Sequence, residues 1–560
     1  MRRVLVLGIT ALALTSSVVA ASKKPAARKH TSGASQPAGM MDAMNGVQTE
    51  RIRDDIKYLA SDALEGRGTG THGGDLAAAY IAKQLKDAGV EAAGDNGTYF
   101  QRVPMIGTTA LPNTTIAVKT PKRTLNLRLL DEVVAFTLDQ NEFSDVSAGV
   151  VFAGYGITAP EFGWDDYAGA DVKGKILLML VNEPPSDDPK FFGGKALTYY
   201  GRWTYKYEQA ARMGAAGVLL IHKTDMASYG WQVVRSSWSG ERSSLADDRD
   251  PKLPLAAWVQ LETARTMLAD AGEDLDALIR AAQTKGFHAR PLPLQVSAHV
   301  VSKIRPFESS NVIGKISGSS PELSKQAVIF TAHYDHLGIH PEQPGDNIYN
   351  GALDNATGTA MVMEIARAMA ASPAKPKRSA YFALVTAEEQ GLWGSEYLAQ
   401  HPPVPVSAIS LNLNFDAIKP LGIPTQVEAP GYERTDFAKV FEKTAADFKL
   451  AVIAPEHPEN GGYYRSDHFS FAKVGVPAFS IGPGEHFTGH PVAWVKANSD
   501  AMEASYHQPS DEYKDEYDYR CNKVLSRFGI ALAYRAGDQP ALVQWRPGDE
   551  FEKAAKASGR

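Results

Sequence analysis

The order of apolar and polar residues along the chain predicts a sheet that is covered on both faces. Three short runs are rich in aliphatic, β-branched and aromatic residues, which is typical of strands buried on both sides. They lie at residues 328–332, 381–386 and 409–415. An α/β fold with a mixed central β-sheet flanked by helices is therefore expected.

Groups that can bind metal or carry protons follow each of these runs. His333 and Asp335 follow the first, Glu388 and Glu389 the second, and Asp416 the third. Ligands of open α/β sheets bind in the crevice beyond the carboxyl ends of the strands. We therefore expect one shared site at this edge of the sheet.

Amphipathic patterns predict helices on either side of a glycine-rich loop. Ile52, Ile56 and Leu59 mark one helix, and a second helix is expected to end at Gly89 in a left-handed cap. The loop between them, Glu65-Gly66-Arg67-Gly68-Thr69-Gly70, has no preceding strand and no following Lys-Ser/Thr. We interpret it as a tight structural turn rather than a phosphate loop.

The first 46 residues predict export. Arg2 and Arg3 precede an apolar run at 4–14 and a small-residue site ending at Ala20, which is the pattern of a secretory signal peptide at 1–20. Residues 21–46 favour a flexible leader because Lys, Pro, Ala, Ser and Gly cannot build a core. A periplasmic or extracellular location, with no stable membrane insertion after cleavage of the signal, is predicted.

The sequence pattern changes between residues 146 and 304. Strand-like and turn-like segments alternate there without a cluster of metal-binding residues. We expect an inserted, mainly β module at 146–304 within a catalytic domain formed by 47–145 and 305–537, although one large domain is the alternative. Residues 538–560 are charged and small and predict a poorly anchored tail.

Composition limits the classes of partner. The 560 residues include 44% hydrophobic and 22% charged residues, and the net charge is -6, so no basic surface for nucleic acid is indicated. Cys521 is the only cysteine, which excludes an intramolecular disulfide and is typical of a core thiol.

Five residues form a candidate metal centre. Zinc prefers imidazole nitrogen and carboxylate oxygen and, in catalytic sites, keeps a position for water. Five such ligands suit two zinc ions, with one carboxylate bridging them. Each residue alone could be a turn, cap or surface residue, but three carboxylates and a histidine would all have to lie by accident at adjacent strand ends, which favours a site. The candidates are His333, Asp354, Glu389, Asp416 and His507.

These residues and their order resemble the co-catalytic di-zinc exopeptidases of metallopeptidase family 28. That group includes secreted leucyl-type aminopeptidases and relatives of glutamate carboxypeptidase II and the transferrin receptor. The resemblance extends to an inserted protease-associated domain, matched at residues 154–156 and 171–175. It implies the zinc exopeptidase fold and two zinc ions per chain.

The resemblance also implies roles for individual residues. His333 and Asp416 would bind one zinc, Glu389 and His507 the other, and Asp354 both. Glu388 would be the general base, Asp335 would orient His333, and Tyr463 or its neighbour Tyr464 would steady the oxyanion. A cis peptide bond after Asp354 is implied as well.

The expected function is hydrolysis of the N-terminal residue of peptides. A dipeptidase or carboxypeptidase on the same scaffold is one alternative. A binding protein without catalysis is another. The preferred N-terminal residue and the oligomeric state have no readable code in this sequence.

Overall fold

A mixed β-sheet flanked by helices organises the protein in a computed structural model that describes residues 37–247, 251–341 and 343–560. The expected α/β fold class is thereby confirmed. The predicted signal peptide at 1–20 and residues 21–36 of the predicted leader lie outside the described residues.

The helices and strands are numbered in chain order. Within the described residues the helices are α1 Met40–Gly46, α2 Thr49–Leu59, α3 His72–Asp87, α4 Trp203–Arg212, α5 Thr224–Ala227, α6 Trp231–Ser237, α7 Leu261–Asp270, α8 Leu275–Ala282, α9 Thr357–Ala371, α10 Trp393–Gln400, α11 Ala438–Asp447, α12 His468–Lys473, α13 Val492–Ala504, α14 Arg520–Asp538 and α15 Glu552–Ala557. The strands are β1 Glu91–Ala92, β2 Phe100–Ala110, β3 Thr115–Lys119, β4 Thr124–Leu127, β5 Val133–Phe136, β6 Phe143–Phe152, β7 Thr158–Ala159, β8 Trp164–Asp165, β9 Ile176–Leu180, β10 Gly217–His222, β11 Arg242–Leu245, β12 Leu255–Gln260, β13 Arg290–Ile316, β14 Ala327–His333, β15 Gly338–Ile339, β16 Ile348–Tyr349, β17 Ser379–Val385, β18 Ile409–Asn414, β19 Gln426–Glu428, β20 Ala451–Val452, β21 Ala478–Ser480 and β22 Gly482–Pro483.

The three strands predicted from the buried runs are adjacent and parallel. β14 pairs with β17 on one side and with β18 on the other, and β21 extends the sheet beyond β18. Every residue of β14, β17 and β18 is buried, because helices such as α9 and α14 pack against the sheet. Their carboxyl ends therefore open on the same edge.

One long strand, β13, joins this sheet to a second group of strands. Its first half pairs with β6 and β3, and its second half pairs with β2 and β17. In the second group β9, β10 and β12 run parallel beside β6. Two apolar cores are built on the second group from residues between 110 and 300, and helices α4 to α8 belong to the same stretch of chain.

The predicted helices before Gly89 are confirmed. α2 covers the stretch marked by Ile52 and Leu59, and α3 ends at Asp87. Gly89 follows with φ +74°, the left-handed conformation expected of the cap.

Among the residues that the structure describes, none of the helices is both long and apolar enough to span a membrane.

The end of the predicted leader is ordered, which corrects our expectation for residues 37–46. Met40, Ala43 and Met44 are buried on one side of α1, and α1 packs against α9 and α14. The spacing of these three residues puts them on one helical face. The composition of residues 21–46, taken as a whole, does not reveal this short apolar face of α1.

The C-terminal segment is also anchored, contrary to the predicted loose tail at 538–560. Trp545 and Phe551 are buried beside Tyr463, and Val543 is inaccessible to solvent. The Arg560 guanidinium donates to the carbonyl oxygens of Ile409 and Val543. A few large apolar residues thus outweigh the charged composition of the segment.

Candidate metal centre

The side chains predicted from the strand ends converge at the carboxyl edge of the sheet. His333 is the last residue of β14, Glu388 and Glu389 follow β17, and Asp416 follows β18. Asp354 lies in a tight turn before α9, and His507 follows α13. The peptide bond between Asp354 and Asn355 is cis, as predicted.

Two hydrogen-bonding neighbours hold the Asp354 turn in place. The Asn355 side chain donates to the carbonyl oxygen of Phe415 and accepts from the N–H of Ala417, at 3.0 and 3.2 Å. The Asp511 carboxylate accepts from the N–H groups of Leu353 and Asp354, at 2.9 and 3.0 Å. Asn355 therefore ties the turn to the segment of Asp416, and Asp511 ties it to the segment of His507.

Asp354 lies between the two histidines. Its Oδ1 is 3.2 Å from His333 Nε2, and its Oδ2 is 3.3 Å from His507 Nε2. His333 Nε2 is also 3.3 Å from Asp416 Oδ1, and His507 Nε2 is 3.0 Å from Glu389 Oε2. The structure therefore brings all five candidate ligands together.

The donor atoms suit a metal ion. Nitrogen and carboxylate oxygen are the ligands that zinc prefers. His507 Nε2 is buried and makes no hydrogen bond with the described residues, although two carboxylate oxygens lie near it. Two sets of three donor atoms also lie within 4.8 Å of one another: His333, Asp354 and Glu389, and His333, Glu388 and Asp416.

The two adjacent glutamates have opposite electrostatic environments. Burial, reinforced by the negative charges of Glu389 and Asp416, raises the pKa of Glu388 well above its usual range. Burial also acts on Glu389, but the hydrogen bond from His336 and the nearby His507 imidazole lower its pKa to about 2. Glu388 is therefore the more basic of the two carboxylates.

Asp335 contacts the centre differently from the role implied for it. Its carboxylate accepts from Thr69 Oγ1 at 2.9 Å and from the N–H of Glu388 at 3.2 Å. His333 Nδ1 is 3.2 Å from the carbonyl oxygen of Asp335 and 3.8 Å from Oδ1. In this structure the carbonyl oxygen, rather than the carboxylate, is within hydrogen-bonding distance of His333.

Neither tyrosine proposed for the oxyanion donates to the five ligands among the described residues. The Tyr463 hydroxyl donates to the carbonyl oxygen of Ala478 at 3.0 Å, and the Tyr464 hydroxyl donates to Glu550 at 2.7 Å. Their loop reaches the centre through Ser466, whose hydroxyl donates to Asp416 Oδ2 at 2.5 Å. The role implied for Tyr463 stays a prediction.

Another tyrosine, Tyr506, lies beside the centre and was missed. Its ring stacks on His507 with centroids 3.9 Å apart, and 53% of its surface is exposed. Burial of part of the side chain and the negative charges of Asp354 and Glu389 raise the pKa of its hydroxyl. Its position directly before His507 was a signal in the sequence.

His336 was also missed. Its Nδ1 is 2.6 Å from Glu389 Oε1, and both side chains are buried. The second histidine of the segment His333-Tyr334-Asp335-His336 could have been weighed as a partner of a ligand.

The glycine-rich loop is a structural turn, as interpreted, but its arginine lies behind the metal centre. Arg67 is fully buried and donates to the carbonyl oxygens of Tyr334, Leu59, Asn350 and Gly351, at 2.7, 2.5, 2.6 and 2.9 Å. Burial lowers the pKa of Arg67 to about 10, while nearby carboxylates oppose the shift. Tyr334 and Gly351 flank His333 and the Asp354 turn, so Arg67 fixes the backbone beneath both.

Parts of the chain are similar to known proteins. The chain is 31% identical over 216 residues to leupeptin-inactivating enzyme 1 of Streptomyces exfoliatus, a match that covers 38% of this chain and 47% of that protein. It is 30% identical over 227 residues to a probable zinc metalloprotease of Pyrenophora tritici-repentis, covering 32% and 44%. The chain thus spans about half the length of the curated relatives that it matches.

A solved structure and a family profile complete the comparison. The aminopeptidase from Aneurinibacillus sp. strain AM-1 is similar with a TM-score of 0.49 and 19% identity, covering 91% of this chain and 98% of that one. The profile described as peptidase family M28 matches residues 311–528, which include all five candidate ligands. Residues 311–528 of this chain therefore form a peptidase family M28 domain.

Proposed function

We propose that the protein is a zinc-dependent exopeptidase that removes the N-terminal residue of peptides. The observation that carries this proposal is the position of Asp354 between His333 and His507, with one carboxylate oxygen directed to each. The names of two relatives, a leupeptin-inactivating enzyme and a probable zinc metalloprotease, support hydrolysis of peptides.

Two zinc ions per chain fit the donor set. His333 and Asp416 would hold one ion and Glu389 and His507 the other, with Asp354 shared. When bound, such ions lower the pKa of water and polarise the scissile carbonyl group.

Glu388 would act as the general base. It lies beside His333 and Asp416, with Oε2 4.0 Å from His333 Nε2. Its raised pKa suits a carboxylate that accepts a proton from the attacking water and returns it to the leaving amine. The low pKa of Glu389 suits a permanent ligand instead.

The free N-terminus of the substrate would bind at the acidic end of the cleft. Glu388, Glu389 and Asp416 lie there, and an ammonium group is attracted to such a cluster. A binding protein without catalysis is disfavoured because the whole ligand set is in place.

Residues 146–304 would form an inserted protease-associated domain, and the mature protein would be exported. The insertion contacts α12 and the loop before it. Leu197 N–H donates to the carbonyl oxygen of Pro458 in the loop at 3.1 Å, and the ring of Tyr199 is 4.8 Å from that of Phe469 in α12. Export rests on the leader sequence alone. N-terminal sequencing of exported protein should begin near Ala21, and intact Met1 would contradict it.

Substrate profiling with metal analysis tests the proposed activity. Purified protein should hydrolyse aminoacyl-anilides, lose activity with a chelator and regain it with added zinc. N-acetylated anilides are the control and should not be cleaved, because their amine is blocked. Cleavage that requires a free C-terminal carboxylate would favour the dipeptidase or carboxypeptidase alternative, and full activity in metal-free protein would refute the proposal.

A further inference from the structure

We infer that His336 is a positioning residue that holds one oxygen of Glu389 and leaves the other for the metal ion beside His507. This inference rests on the proposed function, because it assumes that Glu389 is a zinc ligand.

The two carboxylate oxygens of Glu389 have different partners. Oε1 is 2.6 Å from His336 Nδ1, whereas Oε2 is 3.0 Å from His507 Nε2. An ionised carboxylate can only accept, so His336 Nδ1 is the donor of this hydrogen bond. One oxygen is thus occupied by the protein, and the oxygen that remains available is the one that faces His507.

The His336 imidazole is fixed by its surroundings. Its main-chain N–H donates to the carbonyl oxygen of Arg67 at 3.2 Å. Gly351 packs against the ring so closely that an added Cβ would lie 2.6 Å from His336 Cγ. On another side the ring lies edge-on to His507, with centroids 5.7 Å apart. The ring therefore has little room to turn away from Glu389.

The hydrogen bond to Glu389 is the one polar contact that this imidazole makes with the described residues. His336 Nε2 is buried and makes no hydrogen bond with them. Packing alone would be served by an apolar side chain of the same size, without the cost of burying a polar ring. The burial of both partners also keeps water from replacing the bond.

An orienting hydrogen bond of this kind changes metal affinity. Partners that orient a metal ligand are typically worth about 10–100-fold in affinity. Because His336 touches Glu389 and not His333 or Asp416, its loss should affect one of two zinc-binding steps. Unequal effects on the two steps are therefore the signature of this role.

Stepwise zinc affinity of three full-length variants tests the inference. His336→Leu removes the donor, whereas His336→Asn keeps an amide N–H at the position of Nδ1. His222→Leu is the matched control, because His222 is a buried histidine outside the metal centre whose ring contacts Tyr229, Trp231 and Trp258. Zinc dissociation constants are measured by competition with a chromophoric chelator, and urea unfolding in excess chelator reports metal-free stability.

We expect His336→Leu to weaken one zinc-binding step by about 10–100-fold and to leave the other unchanged. His336→Asn should recover most of that loss, and His222→Leu should change neither step. The inference is overturned if His336→Leu leaves both steps unchanged, weakens both equally, or behaves like His336→Asn. Wild-type protein that binds no zinc would refute the proposed function instead, so the two failures are distinguishable.

Discussion

Replacing Arg67 should both destabilise the protein and weaken its metal centre. Arg67→Leu removes the guanidinium that donates to four main-chain carbonyl oxygens. A buried acceptor left without a donor costs about 1–3 kcal/mol. The Gly351 carbonyl keeps the N–H of Ala356 as a donor, so three carbonyls are left without one. Even at the lower bound, three carbonyls give a loss of about 3 kcal/mol in the free energy of unfolding, against a typical total of about 5–15 kcal/mol.

The assay is urea unfolding of metal-free protein, followed by tryptophan fluorescence, together with zinc content after equilibration. Arg67→Lys keeps the charge but lacks the planar fork that spans four carbonyls, so it should recover only part of the loss. If Arg67→Leu does not fold, this milder variant still reports the effect.

Arg378 provides a control for stability without metal binding. It is fully buried and donates to the carbonyl oxygens of Ala536 and Gln539 at the end of α14. Arg378→Leu should destabilise the chain while leaving zinc affinity unchanged. An Arg67→Leu protein within about 1 kcal/mol of wild type, or one that keeps full zinc affinity, would refute the reasoning.

Three further predictions concern the centre and its surroundings. Glu388→Gln should keep zinc and lose about 10²–10⁴-fold in turnover, whereas Glu389→Gln should lose zinc. Turnover and zinc content, measured together on both variants, separate these two effects. A fully active Glu388→Gln protein would contradict the assignment of Glu388 as the general base. Zinc occupancy should fall as the pH drops below the titration range of the histidine ligands, because a ligating imidazole must be deprotonated; equilibrium dialysis at several pH values measures this. Burial lowers the pKa of His468 from 6.5 to about 3, so the unfolded chain binds a proton in that window while the folded one does not, and stability should fall as the pH falls from about 6.5 towards 3. His468→Gln should flatten this dependence in urea unfolding series, and an unchanged pH profile would argue against it.

The strand ends were predictable because a strand buried on both faces is a continuous apolar run in the sequence. The runs before His333, Glu388 and Asp416 are apolar enough to identify strands, and parallel strands end at one edge. Asp354 and His507 were candidates by residue type, but their individual roles came from the resemblance, because a turn and a loop carry no such periodicity. The structure brings them to the same place as the other three candidates.

The role of Arg67 and the anchored C-terminal segment were not predicted, because both depend on contacts between distant segments. Arg67 is hundreds of residues from Tyr334 and Gly351, and nothing in its loop indicates that four carbonyls surround it. Likewise, the anchored C-terminal segment depends on Arg434, which forms ion pairs with Asp549 and Glu550. Such pairs follow from the tertiary fold and not from local pattern.

The length of β13 has a consequence for how this protein can vary in evolution. Successive residues of a strand face opposite sides, so one residue inserted between Ser302 and Val312 would turn every following side chain over or break the pairing with β2. Insertions and deletions should therefore accumulate in the loops on either side of β13, where length is tolerated. An alanine inserted within this stretch should abolish soluble expression, whereas the same insertion beside Gly286, a left-handed glycine with open space around it, should have little effect.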